Sequence, residues 1–323
     1  MEKAIIITSI YPPTEAIREF AKIEGWDVII VGDVKTTDDW AYPGVTYLSP
    51  KDQQQLTREF AELLPWNSYT RKNIGYLHAI SEGAQVIYES DDDNIPLGHW
   101  MHDPKFSTDA EILSGASFIN IYSYFTRKKV WPRGIPLRCV LDPETPKSLQ
   151  GKKLQIGIWQ CLADGDPDVD AIYRLTNNTP IYFDNREPLV LDKESCCPFN
   201  SQNTYFRKEV FPLLYLPSTV TFRFTDILRG LVAQPILWAS GYRLGFGGAT
   251  VHQKRNPHDY LKDFESEIPC YLLADKVVKV AKESVTPEKP IAENMVSVYR
   301  ALVEEQIVSE KELKILDCWL DMV

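Results

Sequence analysis

Residues 85–93 read QVIYESDDD, a short apolar run that leads directly into three consecutive aspartates. The apolar part is typical of a buried strand, which places the aspartates at the strand's carboxyl end. Three adjacent carboxylates disfavour one another's ionisation, and a bound divalent cation offsets their mutual repulsion. Carboxylate oxygens suit Mg²⁺ or Mn²⁺. A charge run alone is more often a solvated loop, but its position after an apolar strand favours a site for a metal ion and a diphosphate.

The chain before this stretch alternates between apolar runs and helical patterns. Strands are predicted at residues 4–8, 27–31 and 44–48, and helices at 14–25, 51–64 and 70–83. Strands and helices that alternate at this spacing indicate βαβ units and a mainly parallel sheet. Ligands of such sheets bind beyond the carboxyl ends of the strands. The sequence therefore predicts a nucleotide-binding half over residues 1–95.

The rest of the chain has a different character. Residues 96–274 mix short strands with loops rich in Pro, Asn and Asp, which is typical of an acceptor-binding half. Residues 274–283 and 291–320 are amphipathic and helical, with a Pro-containing linker at 286–290 between them. We therefore predict a main domain over 1–274 and a helical appendage over 275–323. The appendage either packs on the main domain or joins copies of the chain in a homo-oligomer.

Composition narrows the class of protein. The 323 residues are 44% hydrophobic and 25% charged, as in ordinary soluble domains. A net charge of −10 argues against a nucleic-acid partner. No apolar window reaches the length of a membrane span, and the first apolar run lacks the features of a signal peptide. The six cysteines are scattered without a CxxC pair, which favours free thiols in a reducing compartment. We predict a cytoplasmic protein without a membrane span.

Five further residues stand out, each with a simpler structural alternative. His252 ends an apolar run and precedes two cations, so it is predicted as a late metal ligand, although a lone histidine is more often structural. Asp33 closes the second strand, where it would contact a base or ribose or stabilise a turn. Arg71 and Lys72 begin the helix before the acidic strand and would contact phosphates or be solvated helix-end cations. Asp226 is either a catalytic or acceptor-binding carboxylate or a structural partner of a nearby arginine, and spacing does not decide between them.

Several segments together resemble the STELLO-type glycosyltransferases, over roughly residues 4 to 268. They are RKNIGYL (71–77), IYESDDD (87–93), VWPRGIPL (130–137), PFNSQNT (198–204), FRFTDILRG (222–230) and TVH (250–252). The UDP-arabinopyranose mutases, also called reversibly glycosylated polypeptides, are more distantly similar. They too have an acidic triplet after a Gly-Tyr helix and a late strand that contains histidine.

The resemblance implies an α/β fold of the GT-A type, a Rossmann-type nucleotide-sugar-binding domain with a mixed central sheet. It also implies a UDP-sugar donor and Mn²⁺ or Mg²⁺ as cofactor. We assign Asp226 as the catalytic residue and Asp91, Asp93 and His252 as metal ligands. Donor binding is assigned to Thr8, Asp33, Arg71, Asp91, Asp92 and Arg255, and acceptor binding to Trp159, Asn200 and Arg223.

Three functions follow, in order of preference. The first is a hexosyl- or pentosyltransferase that moves a sugar from a UDP-sugar to the hydroxyl of a glycan, lipid-linked or small-molecule acceptor. The second is a UDP-sugar mutase, which would use the same donor pocket without a separate acceptor. The third is a non-catalytic nucleotide-sugar-binding protein, which would bind the donor without turnover.

Overall fold

The computed structural model describes residues 1–256 and 258–323. The strands within these residues are β1 (Lys3–Thr8), β2 (Asp27–Val31), β3 (Val45–Leu48), β4 (Val86–Asp91), β5 (Asn94–Pro96), β6 (Ser107–Ser114), β7 (Lys147–Asp164), β8 (Leu189–Leu191), β9 (Asn203–Arg207) and β10 (Arg243–Gln253). The α-helices are α1 (Glu15–Phe20), α2 (Pro50–Leu56), α3 (Arg58–Leu63), α4 (Lys72–Ser81), α5 (Leu137–Leu141), α6 (Ala171–Asn177), α7 (Thr225–Ala239), α8 (Tyr260–Ser284), α9 (Ile291–Glu304) and α10 (Lys311–Leu320).

The strands form one mixed sheet in the order β3-β2-β1-β4-β9-β7-β6-β8-β10-β5. Its first four strands are parallel to one another, and β9 joins β4 in the antiparallel direction. The register places Thr8 beside both Val31 and Asp91. The carboxyl ends of β1, β2 and β4 therefore meet at one edge of the sheet. The prediction of a mixed α/β fold is confirmed.

Local sequence explains where several helices begin and end. The hydroxyl of Thr14 accepts the amide of Ile17 and caps α1, as the sequence predicts. The helix predicted over 51–64 is instead two helices, because Thr57 takes a non-helical conformation with φ −145° and ψ 53°. The helix predicted over 291–320 is also divided, into α9 and α10. Gln306 lies between them in the left-handed region, at φ 56°, where a helix cannot continue.

The C-terminal helices are part of the main core. The predicted boundary at residue 275 falls inside α8, which runs without a break to Ser284. Trp319 of α10 is fully buried and packs against aromatic rings of the main domain, namely Phe60, Tyr76 and Tyr215. These helices therefore pack on the main domain, which was the first of the two predicted alternatives. Among the described residues, no helix has both the length and the apolar content needed to cross a bilayer.

Candidate active site

Two adjoining cavities lie at the edge where β1, β2 and β4 end. The first, here called the acidic cavity, has a volume of about 240 Å³. It is lined by Thr8, Tyr69, Asp91, Asp92, Asp93, Arg133, Asp168, Asn200, Ser201, Gln202, Phe222, Arg223, Asp226, Gln253, Arg255 and His258. The second, here called the Asp33 cavity, has a volume of about 230 Å³ and shares Thr8, Tyr69, Asp92 and Phe222 with the first. The sheet edge predicted to bind a ligand is thus concave, charged and continuous.

The three consecutive aspartates point to three different partners. Asp91 accepts a hydrogen bond from Lys72 Nζ at 3.0 Å, and Asp92 accepts one from the hydroxyl of Ser9. Both carboxylate oxygens of Asp93 lie 3.2 Å from Nε2 of Gln253. All three aspartates line the acidic cavity, and Lys72, which was predicted to contact phosphates or to be a solvated cation, is instead a buried partner of Asp91.

Burial perturbs two of these carboxyls. It raises the pKa of Asp92 to about 6 and that of Asp93 to about 7, and the negative charge of Asp91 adds to both shifts. Within the described residues, no cation lies at ion-pair distance from Asp93. Among the residues that the structure describes, no group of three or more His, Cys, Asp or Glu side chains is arranged to hold a metal ion. A cation at this position would need further oxygen ligands from a bound substrate or water.

Arg133 lies between two buried aspartates on the opposite wall of the acidic cavity. Its Nε and Nη2 donate to the carboxylate of Asp168 at 2.8 and 2.7 Å. Its Nη1 and Nη2 donate to the carboxylate of Asp226 at 3.1 and 3.0 Å. Burial alone would raise the pKa of Asp168, but the charges of Arg133 and Arg223 hold it well below its ordinary value.

Asp226 is therefore an ion-paired residue. The sequence left open whether Asp226 pairs with a nearby arginine, and the structure pairs it with Arg133, 93 positions away. Asp226 also accepts hydrogen bonds from the amides of Ser201 and Ile227. Sequence spacing did not indicate that Arg133 pairs with Asp168 and Asp226, because three separate segments meet here.

The predicted acceptor residues Asn200 and Arg223 do line the acidic cavity. Asn200 Nδ2 donates to Asp168 at 2.9 Å. Arg223 donates through Nε and Nη2 to Glu267 at 2.9 and 2.7 Å. Glu267 is fully buried on α8, a helix that follows the last strand in the chain. This helix therefore fixes the position of Arg223 in the cavity wall.

Gly134 permits the turn that presents Arg133. It has φ +89°, and a Cβ atom here would lie 2.4 Å from Cγ2 of Ile227. We expect Gly134→Ala to lower the free energy of unfolding by about 1–3 kcal/mol more than Gly44→Ala. Gly44 is the matched control because it also has a positive φ, of +75°, but nothing within 4 Å of the added carbon. Urea denaturation measures the free energy of unfolding of both variants. An equal decrease in the two would show that backbone strain alone, without the contact to Ile227, matters at Gly134.

Asp33 holds together the loop that walls the Asp33 cavity. Its carboxylate accepts the amides of Val34 at 2.6 Å, Asn67 at 3.0 Å and Ser68 at 3.2 Å. Asp33 therefore stabilises a turn, which is one of the two alternatives from the sequence. It also lines the Asp33 cavity, and its contact with a base or ribose stays a prediction.

Arg71 lies at the Asp33 cavity rather than at the acidic cavity. Its guanidinium lies 3.6 Å from the ring centre of Trp66, and it donates to Gln53 and to the carbonyl of Ala61. Burial lowers the pKa of Arg71 to about 10. The alternative of a solvated helix-end cation is wrong, since the side chain is buried. The adjacent Lys72 contacts Asp91.

Two assigned residues, Trp159 and His252, line neither the acidic cavity nor the Asp33 cavity. Trp159 is buried in the core, with its indole nitrogen donating to the carbonyl of Lys105. His252 lines a separate depression, while its neighbour Gln253 reaches Asp93. Successive strand residues face opposite sides of a sheet, so a shift of one position decides which residue reaches the cavity. The structure does not bring His252 together with Asp91 and Asp93.

The other two assigned residues are at the acidic cavity. Thr8 lines both cavities, and Arg255 lines the acidic cavity and pairs with Asp166 through Nε at 2.8 Å. The histidine that lines this cavity is His258, whose Nδ1 lies 3.0 Å from Asp263. Sequence reasoning missed His258, and no pattern in the sequence distinguished it from His252.

Comparison with known proteins supports a family for this chain. The family model described as STELLO glycosyltransferases matches residues 223–323. Two Arabidopsis thaliana proteins, named probable glycosyltransferase STELLO1 and probable glycosyltransferase STELLO2, are each 30% identical to this chain. The alignments cover 99% of this chain and 44% of each relative, so the chain spans less than half the length of either.

A solved structure described as a mycobacterial protein is 8% identical, with a TM-score of 0.43, over 88% of this chain and 76% of that one. That likeness is too slight to support any argument about this chain. The alignments with the two Arabidopsis proteins, in contrast, cover 99% of this chain and so include the segments that build the acidic cavity. Over nearly its whole length this chain is similar to the STELLO glycosyltransferases.

Proposed function

We propose that this chain is a metal-dependent glycosyltransferase with a fold of the GT-A type. It would move a sugar from a UDP-sugar to a hydroxyl of a glycan, lipid-linked or small-molecule acceptor. The observation that carries the proposal is the pair of adjoining cavities at the carboxyl ends of β1, β2 and β4, one of which contains desolvated carboxylates. Similarity to two relatives that are named as probable glycosyltransferases supports the reaction class.

The two cavities suit the two parts of a nucleotide-sugar. The nucleoside would occupy the Asp33 cavity, where the Asp33 loop and Tyr11 provide polar groups and an exposed ring. The diphosphate would extend across the shared wall of Thr8 and Asp92 into the acidic cavity. The sugar would then face Arg133 and Arg223.

Asp91 and Asp93 fit a hard divalent cation such as Mn²⁺ or Mg²⁺. Such ions commonly take one or two carboxylates and complete their coordination with waters and substrate phosphates. Among the described residues, the side-chain amide of Gln253 is the only hydrogen-bond donor to the desolvated carboxylate of Asp93, and a cation would satisfy it. When bound, the ion would offset the charge that develops on the departing UDP. His252 is not part of the proposed ligand set, because it lines the separate depression.

Asp226 would hold Arg133 at the cavity wall rather than remove a proton. Its carboxylate already accepts two guanidinium and two amide hydrogen bonds, so both of its oxygens are occupied. Asp226 and Asp168 together fix the plane of Arg133, which would contribute its positive charge to the cavity.

Calorimetric titration tests the donor site. We expect UDP to bind the wild type in the presence of Mn²⁺ and to bind much more weakly after a chelator is added, because the aspartates repel an unaccompanied diphosphate. ADP titrated under the same conditions is the control for base recognition. If neither nucleotide binds with Mn²⁺ or with Mg²⁺, the proposed function is wrong.

A further inference from the structure

A depression beside the acidic cavity, here called the Tyr182 depression, is open to solvent and has a volume of about 330 Å³. It is lined by Gly165, Asp166, Arg174, Asn178, Thr179, Pro180, Tyr182, His252, Gln253 and Tyr260. We propose that the Tyr182 depression binds a neutral saccharide, as the acceptor subsite of the transfer reaction. The inference rests on the proposed function and adds the chemical class of the acceptor.

The Tyr182 depression lies directly beside the acidic cavity. Gln253 lines both of them. The ion pair between Asp166 and Arg255 forms the rest of the partition, since Asp166 faces the depression and Arg255 faces the cavity. A molecule seated in the depression therefore lies next to the place proposed for the donor sugar.

The aromatic surface is the second argument. Tyr182 is 59% exposed and lines the depression, so its ring is accessible to a ligand there. Its ring lies 6.4 Å from that of His252 at an interplanar angle of 23°, so the two rings are nearly parallel. A pyranose has a face of C–H bonds that packs on an exposed aromatic ring, while its hydroxyls remain at the edge.

The polar groups are the third argument. The side chain of Arg174 is 4% exposed, and within the described residues its buried Nε has no hydrogen-bond partner. Its other nitrogens contact Asp166, the carbonyl of Pro167 and Asn178. A buried donor without a partner often indicates a missing ligand or water.

The mixture of donors and acceptors favours a neutral ligand. The carboxylate of Asp166 lies between Arg174 and Arg255, so it offsets one of the two arginine charges. A second phosphate would meet that carboxylate, whereas sugar hydroxyls both donate and accept hydrogen bonds. The side-chain amide of Asn178 at the rim offers both functions as well.

Saturation-transfer NMR with UDP and Mn²⁺ present tests the subsite. The probes are di-, tri- and tetrasaccharides of glucose, xylose, mannose and galactose. We expect at least one series to bind the wild type, Tyr182→Ala to weaken that binding at least about tenfold, and Tyr182→Phe to retain it. Leu149→Ala is the control for surface truncation, because Leu149 is also 59% exposed and lies outside the depression.

The outcomes separate this proposal from the proposed function. Saccharide binding that Tyr182→Ala leaves unchanged overturns the subsite, and so does the absence of any saccharide binding by a protein that still binds UDP. Saccharide binding that depends on Tyr182, in a protein that binds no nucleotide, supports the subsite and contradicts the proposed glycosyltransferase function. Circular dichroism of each variant verifies that it is folded.

Discussion

Asp93→Asn is expected to lower the rate of UDP release from a UDP-sugar by at least about 10³-fold, or about 4 kcal/mol of transition-state stabilisation. The amide keeps the shape of the side chain but removes the negative charge that would hold the cation. The matched control is Asp142→Asn, at an exposed aspartate beyond α5. A coupled assay of UDP release with a panel of UDP-sugars measures both variants. Activity within tenfold of the wild type would show that Asp93 does not hold the ion.

The same variant has a stability readout that excludes misfolding as the cause. Burial raises the folded-state pKa of Asp93 to about 7, so the folded protein binds this proton more tightly than the unfolded chain does. The stabilisation from that proton is present at low pH and lost as the pH rises to about 7. At pH 8 without metal, Asp93→Asn should therefore melt no lower than the wild type.

Arg229→Met is expected to lower the free energy of unfolding by about 3–5 kcal/mol, because it leaves a buried carboxylate unpaired. Arg229 donates to the fully buried Glu89 at 2.8 and 2.6 Å and to the carbonyl of Asn200 at 3.0 Å. Tyr76 also donates to Glu89, but a neutral hydroxyl cannot replace the lost charge.

Arg58→Met is the control for Arg229→Met. The Arg58–Glu62 pair is exposed on α3, with nitrogen and oxygen 3.5 Å apart, and its loss should cost no more than about 0.5 kcal/mol. Urea denaturation measures both variants. Equal losses would mean that the buried pair contributes no more than a surface pair.

Short-range patterns in the sequence explain which parts of the fold could be predicted. The apolar runs of β1, β2 and β4 and the turn at Asp33 depend on near neighbours in the sequence, so the sheet edge that carries the aspartates could be placed. The break at Thr57 could not be predicted, because the residues around it continue an uninterrupted helical pattern and helix propensity is only a weak guide.

Residues of the site that meet from distant segments could not be predicted. Asp226 was identified, but its partner Arg133 comes from a turn 93 positions earlier. Trp159 and His252 do not line the acidic cavity. The sequence does not show which face of a strand points toward the cavity, so these two positions could not be told from their neighbours. Gln160 and Gln253, their neighbours, are the residues that contact cavity residues.

Glu312 of α10 accepts the amides of Ser218 and Thr219 at 2.8 to 3.2 Å, in the segment that leads to Phe222 and Arg223. During synthesis on a ribosome, the parallel strands can pair long before this glutamate emerges from the exit tunnel. The cavity wall that contains Phe222 and Arg223 would then be completed only after residue 312 is released, although the aspartates are in place some 220 residues earlier. A nascent chain arrested before α10 should therefore have a folded sheet and an incomplete binding site.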